Sequence, residues 1–101
     1  MEGIYLIQAY GQSYVGKCIN LDRRLRQHNR LEPGGAKATL RHAPNWRVVA
    51  FAVPGTDPTK SIPKMETELQ RRVAGFKNQE RRREEFVIMS QQNGYRLADT
   101  K

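Results

Sequence analysis

The chain has 101 residues, which is enough for one domain with one modest hydrophobic core and leaves no room for a second catalytic domain. Its 18 Lys and Arg residues outnumber 10 Asp and Glu residues, so the formal net charge is +8, which is typical of proteins that bind polyanions. The single cysteine, Cys18, excludes an internal disulfide and a cysteine zinc cluster.

The beginning of the chain lacks the features of a targeting segment. Residues 1–5 include neither a basic cluster nor a long apolar stretch, so a signal peptide is not expected. No window approaches the length of a transmembrane helix. We therefore expect a soluble, cytoplasmic protein that does not act at a membrane and whose default partner is nucleic acid.

The first predicted elements are a β-hairpin and a short helix. Residues 4–7 and 14–15 are β-prone, and residues 10–12 between them include a turn glycine. Asn20 is a suitable N-cap for a helix from residue 21 to about residue 29. The hairpin followed by a helix predicts that the sheet is antiparallel at its start.

The rest of the chain alternates between loop, strand and helix. Residues 36–42 form a short basic helix or turn, and residues 46–53 form a third strand. A helix follows from Pro63, carrying an apolar stripe, and residues 79–92 form a last helix that stops at Asn93 and Gly94. The predicted fold is α+β: one domain over residues 1–101, with a small three-stranded antiparallel sheet flanked by helices.

Helical periodicity places two charged side chains at the edges of apolar stripes. At 100° per residue, Arg24 lies about 65° from the centre of the stripe formed by Leu21, Leu25 and His28. On the later helix, Glu66 lies about 65° from the stripe of Met65, Leu69, Val73 and Phe76, and Glu68 lies further away on the other side. Arg24 and Glu66 are therefore predicted to be half-buried, although a solvated basic face and an ordinary surface glutamate remain the simpler interpretations.

Two tripeptides and the segment after them carry a family resemblance. Gly3-Ile4-Tyr5 is followed, after a hairpin-sized gap, by Tyr14-Val15-Gly16, and residues 14–29 continue through a lysine, an asparagine and an arginine helix. This pattern resembles the GIY-YIG nucleases, including the nuclease domain of the bacterial excision-repair incision subunit. Residues 34–39 and 46–49 are similar to the branch that contains branched-DNA structure-specific endonucleases. The resemblance covers residues 3–78, followed by the helix at 79–92.

The resemblance implies a set of site residues. It assigns the family's catalytic arginine to Arg24 and its metal-binding glutamate to Glu66, with Glu68 as the alternative. A further asparagine of the family corresponds to Asn78, which we group with the DNA contacts. The remaining implied catalytic residues are Tyr5, Tyr14, Lys17 and His28.

The implied activity is metal-dependent hydrolysis of DNA phosphodiester bonds with a single Mg²⁺ or Mn²⁺ ion. Either Tyr5 or Tyr14 is the general base, and His28 is the next candidate. The expected partners are DNA, including branched DNA, and a targeting protein. The predicted phosphate contacts are Arg23, Arg26, Arg30, Lys37, Arg41 and residues 81–83.

Two other functional classes account for part of the pattern. A catalytically inactive nucleic-acid-binding module or accessory subunit of the same fold would explain the charge but has no chemical need for both tyrosines, Arg24 and Glu66. A basic ribosome-associated structural protein would also explain the charge but not a half-buried glutamate. The sequence therefore favours an endonuclease over both alternatives.

Overall fold

A computed structural model describes residues 1–99, so the last two residues of the predicted domain lie outside the described part. The helices and strands follow one another in the predicted order, with one additional strand at the end. They are β1 (Gly3–Ala9), β2 (Gln12–Cys18), α1 (Leu21–His28), a 3-10 helix (Lys37–His42), β3 (Arg47–Pro54), α2 (Ile62–Ala74), α3 (Gln79–Gln92) and β4 (Tyr95–Leu97).

The strands form one antiparallel sheet in the order β2-β1-β3-β4. The predicted α+β class is confirmed, but the sheet has four strands where the sequence analysis predicted three. The missed strand, β4, has only three residues and pairs with the end of β3. Its alternation of buried Tyr95, exposed Arg96 and half-buried Leu97 is too short to stand out as a period.

The hairpin between β1 and β2 has a two-residue loop, because Ala9 pairs directly with Gln12. Both loop residues have positive φ angles, 49° at Tyr10 and 81° at Gly11. Two consecutive positive φ angles are typical of the two-residue turn whose twist matches that of the paired strands, and glycine adopts a positive φ without strain. The turn fixes the register that brings the two halves of the paired motif side by side.

The sheet has a buried core on both faces, and β1 and β3 contribute side chains to both cores. Every residue of β1 is buried, which explains why its sequence is almost continuously apolar. One face packs against α2 and α3 through residues such as Leu6, Leu69 and Phe86. The other face carries Tyr5, Ile7 and Trp46 and packs against α1.

Helix α2 ends earlier than its predicted apolar stripe, which continues to Phe76. Met65, Leu69 and Val73 are buried as predicted, but α2 ends at Ala74 and leaves Phe76 beyond its end. The side chain of Asn78 caps α3 by accepting from the backbone N–H of Arg81. Within residues 1–99, no helix combines the length and apolar character needed to cross a membrane.

Candidate active site

Tyr5 lies over Gly16, its direct partner on the neighbouring strand. A Cβ atom at position 16 would overlap the hydroxyl group and ring of Tyr5, so only glycine leaves room there. Tyr5 fills that room and is 1% exposed. The glycine of the second tripeptide thus has a physical role, because it accommodates the tyrosine of the first.

A row of hydrogen bonds runs inward from Tyr5 through two buried side chains. The Tyr5 hydroxyl is 2.6 Å from Nε2 of His28, and Nδ1 of the same ring is 2.8 Å from Oγ1 of Thr39. His28 and Thr39 are both fully buried. The row ends where the Thr39 hydroxyl donates to the carbonyl oxygen of Ala36 at 2.8 Å. Both ring nitrogens of His28 are therefore occupied.

The direction of each proton in this row follows from the donors available. The Thr39 hydroxyl has one hydrogen, and it is directed at Ala36, so Oγ1 accepts from the Nδ1–H of His28. In the neutral imidazole the other nitrogen, Nε2, is then an acceptor. Consequently the Tyr5 hydroxyl donates to His28, and its proton already has a partner.

Burial governs the protonation of this row. It raises the pKa of Tyr5 well above its ordinary value, and the nearby Arg24 guanidinium offsets only part of that rise. Burial, helped by the positive charges of Arg24 and Arg30, lowers the pKa of His28 to about 4. At neutral pH both side chains are therefore uncharged, which agrees with the proton directions above.

Tyr14 and Arg24 stand beside this row and are more accessible than Tyr5. The Tyr14 ring is half-buried, with its centroid 5.0 Å from His28 and 6.4 Å from Tyr5. Its hydroxyl makes no hydrogen bond to any of residues 1–99. Arg24 is half-buried as predicted, and it donates to Oε1 of Gln27 at 3.0 Å. The structure thus brings Tyr5, Tyr14, Arg24 and His28 together.

Glu66 lies on α2, next to β2, the strand that carries Tyr14. Helix α2 packs along β2, with Nε2 of Gln70 donating to the carbonyl of Val15 at 3.0 Å. One turn earlier, Oε1 of Glu66 lies 3.7 Å from Nζ of Lys17, and the Glu66 side chain is 18% exposed. Lys17 and Tyr14 are three residues apart on β2, so they are separated by about 10 Å along the strand. No hydrogen bond or ion pair within residues 1–99 joins Glu66 to the four-residue cluster.

The donor set around Glu66 limits the kind of metal ion it suits. Residues 1–99 contain no group of three or more His, Cys, Asp or Glu side chains arranged to hold a metal. A single half-buried carboxylate does fit Mg²⁺, which often takes one or two protein carboxylates and keeps several waters. The alternative ligand, Glu68, is paired with Lys60 at 3.1 Å, whereas the only ion pair of Glu66 within residues 1–99 is the longer one, 3.7 Å, with the exposed Lys17.

The predicted phosphate contacts fall into three groups. Lys37 and Arg41 are exposed and have no ion pair within the described chain, whereas Arg23 and Arg26 both pair with Glu32. Others are already engaged by the fold, and Arg30 is the clearest case, with three hydrogen bonds to carbonyl oxygens at 2.8 to 3.1 Å. The other engaged residues are Asn78, which caps α3, and Arg81, Arg82 and Arg83 on that helix.

Thr39 contacts His28 but is not among the site residues predicted from the sequence. Thr39 lies in the 3-10 helix, 11 positions after His28, and a loop separates the two elements, so periodicity within one element does not relate the two residues. Its carbonyl oxygen also accepts from Nε1 of the buried Trp46 at 2.7 Å. The only available signal was the similarity of residues 34–39 to a family segment, which does not say what a threonine there contacts.

The depressed pKa of His28 predicts that the protein loses stability in mild acid. The unfolded chain binds a proton at His28 near pH 6.5, whereas the folded state resists it down to about pH 4. Protonation therefore favours the unfolded state as the pH falls between these values. We expect the free energy of unfolding to drop by about 2 kcal/mol from pH 7.5 to pH 5, measured by urea denaturation.

The two histidines provide a matched control for this experiment. His28→Gln should flatten the pH dependence in that window, because Gln does not titrate. His42→Gln should retain it, since His42 is only half-buried. Identical slopes for His28→Gln and the unsubstituted chain would contradict the buried neutral histidine.

Comparison with known proteins agrees with this geometry. A family model described as the GIY-YIG catalytic domain matches residues 1–80. Over 38 residues the chain is 53% identical to the "Structure-specific endonuclease subunit SLX1 homolog" of Giardia intestinalis. That match spans 38% of this chain and 10% of the length of the relative. Since the family model covers most of the chain, including both motif tyrosines, Arg24 and Glu66, the chain belongs to the GIY-YIG family of catalytic domains.

Proposed function

We propose that this chain is a metal-dependent endonuclease that hydrolyses DNA phosphodiester bonds. The observation that carries the proposal is the clustering of Tyr5, Tyr14, Arg24 and His28 on the face of the sheet that α1 covers. Glu66 is half-buried next to the same edge strand, β2, on the helix that covers the other face. A domain that only binds DNA needs surface cations. It does not need a buried histidine next to a tyrosine whose hydroxyl has no hydrogen-bond partner within residues 1–99.

Tyr14 is the general base in this proposal. Its hydroxyl is free of protein hydrogen bonds within residues 1–99, and its ring is half-buried at the surface of the cluster. Tyr5 is less suited, because its hydroxyl is buried and donates to His28. The positioning residues are Tyr5, His28 and Thr39, whose hydrogen bonds to one another fix the side chains that pack against Tyr14.

Arg24 holds the scissile phosphate. Its guanidinium is permanently charged and planar, and two of its donors suit two phosphate oxygens at once. Within residues 1–99 its guanidinium donates to Gln27 and interacts with the Tyr5 hydroxyl, but it takes part in no ion pair. Its half-buried position next to the cluster limits solvent screening, which strengthens its attraction to a phosphate.

Glu66 holds the divalent cation, Mg²⁺ or Mn²⁺. When bound, such an ion stabilises negative charge on phosphate oxygens and on the leaving oxygen. Lys17 is the only charged partner of Glu66 within the described chain, and it is 51% exposed on a flexible side chain. Lys17 is therefore able to move toward a phosphate when the carboxylate is engaged by a cation.

The surface around the cluster supports a DNA substrate. Lys37 and Arg41 are exposed and without ion pairs within residues 1–99, and they provide phosphate-backbone contacts. The relative from Giardia is described as structure-specific and as a subunit. We extend both properties to this chain as proposals: branched DNA is the substrate, and a partner protein contributes to targeting.

The test of the proposed function is a cleavage assay on supercoiled plasmid and on labelled branched and linear DNA. The purified chain should cleave with Mg²⁺ or Mn²⁺ and not in EDTA. An Arg24→Ala preparation made in parallel controls for contaminating nucleases and should be inactive. If the chain binds DNA but cleaves none of these substrates with either ion, the inactive binding module is the correct class.

A further inference from the structure

A pocket of about 290 Å³ lies next to Tyr14, between the start of β2 and the 3-10 helix. It is outside the row formed by Tyr5, His28 and Thr39, and no catalytic role assigned above accounts for it. Apart from Ala38, the side chains around it are aromatic, polar or cationic, and none is acidic. They include Gln12, Ser13, Tyr14, Arg41, His42 and Trp46.

The aromatic side of this pocket is held in place by ring contacts. The ring of His42 contacts those of Tyr10 and Trp46, with centroid distances of 5.7 Å and 5.8 Å. Trp46 is itself fixed, because it is buried and its Nε1–H donates to the carbonyl oxygen of Thr39. Tyr10 is 72% exposed at the tip of the hairpin. His42 therefore presents a ring whose position is set before any ligand arrives.

The charge and polarity of the pocket match one class of ligand. Arg41 lines it and Lys37 is on the same 3-10 helix, and neither is neutralised by an ion pair within residues 1–99. Gln12 and Ser13 offer amide and hydroxyl groups at the opposite wall. Aromatic rings next to unneutralised cations and hydrogen-bonding side chains suit a planar base attached to a phosphate backbone.

We propose that this pocket binds one unpaired nucleobase of the DNA, next to the phosphate that is cleaved. The proposal rests on the proposed endonuclease function, since Tyr14 is shared by the pocket and the catalytic cluster. A base in a duplex must leave its stack to enter, which costs free energy, whereas an unpaired base enters at little cost. The pocket therefore selects DNA that has an unpaired base at the cleavage position, as at a fork or flap.

The experiment measures the affinity of the chain for forked DNA and for duplex DNA of the same sequence, in Ca²⁺ or EDTA. A single abasic nucleotide is moved through the unpaired positions next to the junction. At one position it should weaken binding about 5-fold or more, which is the lower range for loss of one stacked base. His42→Ala should cause a similar loss on intact forked DNA, and the two changes together should cost little more than either alone.

Two variants separate stacking from other effects of position 42. His42→Phe keeps an aromatic ring and should keep the preference for forked DNA. Leu40→Ala removes an exposed side chain, 59% accessible, from the same 3-10 helix outside the pocket, and should bind as the unsubstituted chain does. If His42→Ala does not fold, the abasic series on the unsubstituted chain still decides the question.

The outcomes of the experiment are distinguishable. If the chain cleaves DNA but no abasic position weakens binding, the nucleobase pocket is wrong and the endonuclease function stands. If the abasic nucleotide weakens binding by the same factor in the unsubstituted chain and in His42→Ala, the base contacts another site. That result would also contradict the nucleobase pocket. If the chain neither binds nor cleaves any DNA, the proposed function and the pocket fail together.

Discussion

Replacing Tyr14 with phenylalanine should lower the single-turnover rate of DNA cleavage by about 10²- to 10⁴-fold, the usual contribution of a general base. The variant keeps the ring, so its contacts with Tyr5 and His28 remain. It loses only the hydroxyl, which has no hydrogen-bond partner within residues 1–99. Folding stability and DNA affinity in Ca²⁺ should therefore stay close to those of the unsubstituted chain, and raising the pH should not restore the rate.

Tyr5→Phe is the matched comparison, because it removes a hydroxyl that the fold uses. Without that donor, Nε2 of the buried His28 has no partner, which should cost about 1 to 3 kcal/mol of stability. The rate of the folded variant should fall less than that of Tyr14→Phe. A larger rate loss in Tyr5→Phe, with stability unchanged, would exchange the roles of the two tyrosines. Near-normal rates in both would leave another residue as the base.

Helical periodicity predicted the partial burial of two candidate site residues. It placed Arg24 and Glu66 at the edges of apolar stripes, and both side chains are half-buried in the structure. The prediction worked because each helix buries one face against the sheet, so the angle around the helix determines exposure. Periodicity has no information about contacts between elements, and it could not show that Arg24 lies near Tyr5 or that Glu66 faces Lys17.

Contacts that depend on loop geometry were beyond the sequence analysis. Arg30 was predicted to bind phosphate, yet its guanidinium donates to carbonyl oxygens of Gln27, Gly34 and Ala36. Those oxygens converge only because Gly34 and Gly35 adopt φ angles of 113° and 90°. The same loop delivers Thr39 to His28. A glycine pair in the sequence predicts that the chain turns there, but not which side chains the turn brings together.

The neutralisation of Arg23 and Arg26 has a similar origin. Both were predicted as phosphate contacts, and both pair with Glu32, which follows the helix in the sequence. Exposed ion pairs of this kind contribute little to stability, so DNA phosphates are able to displace Glu32. The two arginines therefore remain available to a substrate, whereas Arg30 would have to give up three hydrogen bonds to the backbone.

Glu66→Gln should lower metal-dependent cleavage by at least about 100-fold, because the loss of the carboxylate removes the proposed ligand of the cation. The amide has nearly the same shape and removes one long ion pair with the exposed Lys17. Such a pair is worth about 1 kcal/mol or less, so the variant should unfold at nearly the same urea concentration as the unsubstituted chain. The rate should be measured over a range of Mn²⁺ concentrations, since a weakened site requires more metal for half-maximal activity.

Glu68→Gln is the control, since Glu68 is on the same helix and belongs to an ion pair with Lys60 at 3.1 Å. Its cleavage rate and its dependence on Mn²⁺ should match those of the unsubstituted chain. The two carboxylates are two residues apart on α2, so they point about 160° apart around the helix. One metal ion is therefore not coordinated by both. An inactive Glu68→Gln beside an active Glu66→Gln would move the metal site to the other face of α2 and would contradict the proposed role of Glu66.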